Sequence, residues 1–332
     1  MERRIKIVSS GSYVPDTVVL SSDIDKKMEK REGWTQRLFG IEKRHYANAE
    51  ETTSYMAAKA ATDALEKAGI EAAELDCIVA ACGVGEQPIP STAVLIQNKL
   101  GLGSSGIAAF DVNSTCLSFV TALDIVADAI ALGRYQKVLI VSSDIASCGL
   151  DWSNPEAAAI FGDGAAAVIV TKSADHEGSC LIAGQMETYG SYQDVCRLEA
   201  GGTRVSPRQD FDSFCSKSTF KMDGPEALTC VLANLPAFLE RLCQKAATGI
   251  DDLDLLILHQ ASQFSLNAVQ KHLGFDPDKM MMIFKQFGNQ IAASIPHTLD
   301  HAITGKRLNR GDKVLLLGTS AGISFGGLVL EY

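Results

Sequence analysis

Leu132-Gly-Arg134 followed by Lys137-Val-Leu-Ile-Val141 returns 176 residues later as Leu308-Asn-Arg310 followed by Lys313-Val-Leu-Leu-Leu317. Leu75-Asp76-Cys-Ile-Val-Ala80 returns as Leu253-Asp254-Leu-Leu-Ile-Leu258 at an offset of 178. One such match would carry little, because short apolar runs resemble one another. Two matches in the same order, at offsets near half of a 332-residue chain, point to a duplicated fold. Each half must then build the same frame. The expected division is 1–172 for the first half and 173–332 for the second, in keeping with about 150 residues per unit.

The apolar runs at 137–142 and 313–318 are short and unbroken, as in strands buried on both faces. Helical patterns lie between such runs. Residues 53–68 carry one apolar and one charged stripe, and 116–132 is rich in Ala and Leu. Residues 225–247 open with Pro225 in the first turn and reach Gly249 past their end, and 263–273 stops before Gly274. Strands alternating with helices predict a mostly parallel sheet covered by helices. Residues 189–221 lack a regular pattern and read as a long loop or cap.

Composition removes several classes of function. Thirty Lys and Arg face 40 Asp and Glu, a net charge of −10, and no run of five basic residues offers a phosphate-binding surface. A general nucleic-acid binder is therefore not expected. With 46% apolar and 21% charged residues the chain is globular in type. Its nine Cys form no CxxC pair and no zinc spacing with His, so neither a disulfide scaffold nor a metal site is expected. No apolar stretch suits a membrane helix, and Met1-Glu-Arg-Arg-Ile-Lys-Ile-Val lacks the core of a signal peptide. The expected setting is the cytoplasm, with no membrane partner and with reduced thiols. The question becomes whether one thiol is special.

Cys116, in Asp111-Val-Asn-Ser-Thr-Cys-Leu-Ser-Phe-Val120, follows a strand-like run and precedes a helix. A thiol at a helix N-terminus is expected to shift toward thiolate, the reactive form. From position alone it also fits a small buried hydrophobe, which most cysteines are. His259 ends the apolar run Leu255-Leu-Ile-Leu258, as a base, acid or donor, or as a satisfied core histidine. The other five histidines lie in more polar or helical settings. Asn289, in Phe287-Gly-Asn-Gln-Ile-Ala-Ala293, reads as a helix cap or as an amide donor beside His259. The duplication places its turn where the Cys116 turn lies in the first half. Gly318-Thr-Ser-Ala-Gly322 suits either a tight turn or backbone donors to an oxyanion. Phe161-Gly-Asp-Gly164 has no following Lys-Ser/Thr, so it reads as close backbone packing rather than a phosphate loop.

Together these segments resemble the 3-oxoacyl-acyl-carrier-protein synthase III family of the thiolase superfamily. The resemblance runs from Gly11-Ser-Tyr-Val-Pro15 through Trp34, Gly40-Ile41, Pro90-Ser91, Cys116, Phe161-Gly-Asp-Gly164, His259-Gln-Ala261 and Gly288-Asn289 to the terminal glycine-rich turn. It implies a thiolase-like α/β fold of two similar halves in five layers, α-β-α-β-α, and a homodimer. It implies acyl transfer from an acyl-CoA or acyl-carrier-protein donor to Cys116. Decarboxylative condensation with malonyl-ACP or malonyl-CoA then follows, in fatty-acid initiation or a specialised lipid or polyketide pathway. His259 and Asn289 would complete the catalytic set, and the N–H groups of Cys116 and Ala321 would form the oxyanion hole. Trp34, Arg37, Ile89, Phe161, Phe264 and Gly322 would meet substrate. No cofactor or metal is implied. Elongating relatives use two histidines where this chain has His259 and Asn289, and degradative thiolases carry a second cysteine where this chain has Thr319-Ser320-Ala321-Gly322. The alternative within the superfamily is transfer from Cys116 to a hydroxyl or amine without condensation.

The chain departs from the family pattern at basic positions. Leu38, Phe264, Thr229 and Pro155 stand where the family commonly has basic groups that hold CoA phosphates or the acidic carrier protein. Arg37, Lys217, Lys221 and Lys285 are the candidate substitutes. Ile89 stands where starter enzymes often have the Phe that closes the acyl pocket from the partner subunit. A smaller residue there predicts an acyl group longer than acetyl.

Overall fold

The computed structural model describes residues 2–332. Two five-stranded sheets carry the fold. The first runs in the order Ile5–Tyr13, Gly164–Lys172, Lys137–Asp144, Cys77–Ala80, Ala108–Asp111. The second repeats it as Cys180–Thr188, Ser324–Glu331, Lys313–Ser320, Leu255–Leu258, Met280–Met281. In both sheets the first two pairings are antiparallel and the last two parallel. The sheets are therefore mixed, not mostly parallel as alternation alone predicts. In the second half the reason is local: only Ala321–Ile323 separate Ser320 from Ser324, too few residues for the crossover that a parallel neighbour needs.

The residues that advertised the duplication hold equivalent corners. Asp76 donates its N–H to the Lys137 carbonyl at 3.1 Å, and its carboxylate accepts from the Lys137 N–H at 3.2 Å. Asp254 does both with Lys313, each at 2.8 Å. Side-chain alternation along the strands then sorts the layers. Val138 and Ile140 of the first sheet, with Val314 and Leu316 of the second, face a shared core containing the helices Ser118–Ala131 and Ser294–Thr304. Leu139 and Val141 face outward, beneath helix Thr53–Ala68. Leu315 and Leu317 face the other way, beneath Gly224–Ala246 and Gln263–Leu273. This is the five-layered α-β-α-β-α arrangement.

The segment 189–221 is more ordered than its composition suggests. It holds the helix Phe211–Lys217, capped by Asp210, and all but Met222 of the ribbon that pairs Cys196–Arg197 with Lys221–Met222. Short-range Asx capping and a two-residue pairing leave no periodicity to read. The ribbon is anchored by the Phe220 N–H on the Gly149 carbonyl at 3.0 Å and by an edge-to-face contact between Phe220 and Phe161.

Candidate functional site

Cys116 lies in the 3-10 turn Thr115–Leu117 that precedes helix Ser118–Ala131, so the regular helix begins later than 116. Asn289 lies just before the matching turn Ile291–Ala293, ahead of helix Ser294–Thr304. The turns are copies. Thr115 and Ile291 each hold φ at 51°. The Thr115 N–H donates to Asn113 Oδ1 and the Ile291 N–H to Asn289 Oδ1, both at 2.9 Å. The Ser114 N–H donates to Ser118 Oγ at 2.9 Å, and the Gln290 N–H to Ser294 Oγ at 3.0 Å. Cys116 in the first copy therefore corresponds to Ala292 in the second.

Two glycines bring the turns and His259 together. A Cβ on Gly83 would lie 2.4 Å from Ile291 Cγ2 and 3.6 Å from the Thr115 carbonyl carbon, so Gly83 is wedged between the two turns. A Cβ on Gly318 would lie 3.0 Å from His259 Cβ and 3.1 Å from Leu117 Cδ2. One glycine thus separates His259 from the residue after Cys116. His259 leaves the strand Leu255–Leu258 with its N–H on the Leu317 carbonyl at 2.8 Å, and its side chain is buried. Its Nδ1 has no partner among the described residues. Gln260 locks the following chain by accepting the N–H groups of Ile283 and Phe284.

Charge states at the site follow from burial. Burial, with smaller contributions from the Asp144 and Cys196 side chains, pushes the Cys116 thiol up to about 12. This corrects the expectation of a lowered thiol: the helix-terminus effect is worth about 1 kcal/mol and does not outweigh desolvation of the anion. Burial lowers His259 to about 4. The resting pair at neutral pH is a neutral thiol and a neutral imidazole.

The Phe161-Gly-Asp-Gly164 segment holds the Asn289 turn. Phe161 bridges Asn289, with the Gly162 N–H on the Asn289 carbonyl at 3.0 Å and the Asn289 N–H on the Ile160 carbonyl at 2.8 Å. Gly162 and Gly164 have no room for a side chain, because a Cβ would meet the Phe287 carbonyl oxygen or Gln290 Nε2 at 2.1 Å. The expectation of close backbone packing describes this segment. Ala321 and Gly322 sit in the turn between the last two strands, and Gly322 has φ +142°. Ile323 pairs there with Tyr189, joining that turn to the start of the cap.

The remaining candidates are spread more widely. Trp34 opens the helix Trp34–Phe39, donating its N–H to Asp25, and Arg37 is exposed with its guanidinium on the Glu32 carbonyl. Gly40 at that helix's end abuts Gln263, which puts Leu38 and Phe264, both exposed, on adjoining elements. Ile89 is 85% exposed, and this chain does not bring it to the site. Lys285 pairs with Glu42 at 3.0 Å, so its charge is engaged locally. Sequence reasoning missed Asp144, Gln290 and Cys196. His297, expected in a polar or helical setting, lies in helix Ser294–Thr304 with its ring buried against Phe287, centroids 4.6 Å apart.

Comparison with known proteins matches residues 110–190 to the model for 3-oxoacyl-[acyl-carrier-protein (ACP)] synthase III. Residues 243–332 match the model for its C-terminal part. A beta-ketoacyl-[acyl-carrier-protein] synthase III from Methylococcus capsulatus is 32% identical over 332 residues, covering 100% of both chains. The chain belongs to the 3-oxoacyl-[acyl-carrier-protein] synthase III family. Another synthase III of that description, from Laribacter hongkongensis, is 32% identical over 98% of this chain and 99% of its own. The crystal structure of the Aquifex aeolicus synthase III superposes with a TM-score of 0.89 at 31% identity, covering 99% of this chain and 100% of that one. Among the described residues of this synthase III family member, no helix is long and apolar enough to cross a membrane.

Proposed function

We propose that this chain is a condensing acyltransferase that uses Cys116 as nucleophile and His259 and Asn289 as donors. Residues 1–172 and 173–332 are its two halves, and it works as a cytoplasmic homodimer. The observation that carries this reading is the convergence of the Cys116 turn, the Asn289 turn and His259 on Gly83 and Gly318. In the first stage Cys116 Sγ bonds to the acyl carbon of an acyl-CoA or acyl-carrier-protein thioester, and the donor thiol leaves. The thiol is neutral at rest, so its proton must depart as that bond forms. A neutral His259 can accept it and pass it to the departing sulfur, which leaves as the thiol. The N–H groups of Cys116 and Ala321 then face the acyl oxygen.

In the second stage a malonyl thioester loses CO2, and its electrons pass to the thioester oxygen as an enolate. His259 and the Asn289 amide donate to that oxygen. The enolate carbon attacks the acyl carbon, the acyl–sulfur bond breaks, a 3-oxoacyl thioester leaves, and the Cys116 thiolate takes up a proton from solvent. Preorganised donors of this kind are worth about 10²–10³ in rate each.

Intact-protein mass spectrometry after incubation with a panel of acyl-CoA and acyl-carrier-protein donors tests the reading. An acyl adduct on Cys116 is expected, and its mass gives the chain length. Absence of an adduct with every donor overturns it. Malonyl-dependent CO2 release separates condensation from simple transfer to a hydroxyl or amine.

A further inference from the structure

Asp144 and Ser320 end equivalent strands, Lys137–Asp144 and Lys313–Ser320. The chain gives them different jobs. Asp144 is 0% exposed. Its Oδ1 accepts the N–H groups of Gly83 at 2.8 Å and Val84 at 3.0 Å, and its Oδ2 accepts the Ala292 N–H at 3.0 Å. Ala292 is the second copy's counterpart of Cys116. Ser320 is short and neutral, and its hydroxyl turns to the neighbouring Ala321 carbonyl at 3.3 Å. At the second copy's turn, the protein's own carboxylate occupies the place that an acyl oxygen takes at the first copy's turn in the proposed reaction.

We propose that Asp144 is a positioning residue: its carboxylate fills the anion-binding turn of the second copy and so clamps the Asn289 turn to the Gly83 loop that abuts the Cys116 turn. The proposal rests on the condensing reading above. A carboxylate buried without a cation is costly, and three hydrogen bonds from N–H groups of two separate loops offset that cost. Replacing the carboxyl group leaves fewer acceptor oxygens for these three N–H groups and loosens the turn that carries Asn289.

The charge of the carboxylate also reaches thiols. Cys82, Cys116 and Cys148 all feel its charge, and Cys196 adds to the effect on Cys116. His259 lies on the far side of Gly318. The remaining contacts from the Gly83 loop and from the Ile291–Ala293 turn are backbone N–H groups. An ionised Asp144 opposes the Cys116 thiolate, so its removal eases deprotonation of that thiol.

The test compares wild type with Asp144→Asn and with Asp144→Ser, the residue that the second copy carries. Three quantities are read: Cys116 acylation by intact mass, CO2 release from a malonyl thioester, and the pH profile of Cys116 alkylation by iodoacetamide, scored on the Cys116 peptide. CO2 release should fall about 10²-fold, the scale of one misplaced donor, while acylation stays within about threefold. The alkylation profile should move to lower pH. Loosening that hydrates Cys116 would move it the same way, so the shift is read in a variant whose melting temperature matches wild type, where the lost charge alone remains to cause it. Wild-type CO2 release in either folded variant overturns the proposal, and so does equal loss of both half-reactions or an unmoved alkylation profile. Asp144→Ser is smaller than the native residue and keeps the comparison available where Asp144→Asn does not fold. Alkylation needs no substrate, whereas absence of CO2 release in wild type would defeat the condensing reading instead.

Discussion

Asn289 Oδ1 accepts the N–H of Ile291 at 2.9 Å, which leaves the amide NH2 as the end of that side chain free to donate. Asn289→Asp keeps the acceptor and removes the donor. Malonyl decarboxylation should fall about 10²–10³-fold, with acylation of Cys116 largely intact. Single-turnover acylation and CO2 release, measured side by side, check this. Equal loss of both steps would refute the division of roles.

Gly162 holds the Asn289 turn by its lack of a side chain. In Gly162→Ala the new Cβ would lie 2.1 Å from the Phe287 carbonyl oxygen and 3.0 Å from Arg44 Cβ. Two backbone segments must then part. Overpacking of this kind costs about 1–3 kcal/mol. A lower melting temperature together with reduced CO2 release is expected, and a variant with wild-type values for both would show that the packing is slack.

Ile89 is exposed in a single chain, as a residue lent to a partner subunit would be. Ile89→Phe should shift the donor preference toward shorter acyl groups in competition assays with mixed acyl-CoA. An unchanged chain-length profile would remove Ile89 from the pocket.

Phe264 is 64% exposed at the start of helix Gln263–Leu273, which adjoins the end of the helix that carries Leu38. Phe264→Arg restores a basic group where the family commonly has one. It should lower KM for CoA or carrier-protein substrates about two- to fivefold with kcat unchanged, and the gain should fade with added salt because exposed charges are screened. A gain that persists at high salt would point to a different origin.

His259 and His297 are held neutral by burial, His259 at about 4 and His297 at about 3, with the His301 charge adding to the second. Both values lie below the unfolded value near 6.5. The unfolded chain therefore takes up protons first as the pH falls. Stability present above pH 6.5 is lost progressively toward pH 4. Asp144, raised by burial to about 7, acts in the opposite sense, since its neutral form favours the fold at low pH. Melting temperature should decline between pH 6.5 and 4.5, and His297→Asn should flatten that decline. An equally steep decline in the variant would place the acid sensitivity elsewhere.

Helices 53–68 and 263–273 were legible to the residue because their signals are local. Thr52 and Ser262 cap the first turns, and Gly69 and Gly274 follow the last in left-handed conformation. The catalytic candidates were legible because each ends a strand or begins a helix in a recognisable motif. The Cys116 charge state was not, since it depends on packing from distant segments. Nor was Asp144 visible. An aspartate closing an apolar strand looks like any polar terminator until the Ala292 N–H, 148 residues away, is seen on its carboxylate. The cap was opaque because its ribbon pairs only two residues with two.

The cap and the Trp34 segment occupy the same address in the two copies. Residues 14–52 interrupt the path from the strand Ile5–Tyr13 to helix Thr53–Ala68, and residues 189–223 interrupt the path from Cys180–Thr188 to helix Gly224–Ala246. Both inserts leave the frame before its outer helix, so neither passes through the turns that carry Cys116 and Asn289. Each insert braces the site from outside: Arg44 and His45 of the first meet Gly162 and Asp163, and Phe220 and Tyr189 of the second meet Phe161 and Ile323. Leu38 belongs to the first insert and is exposed, so a change of charge at that position leaves those bracing contacts intact.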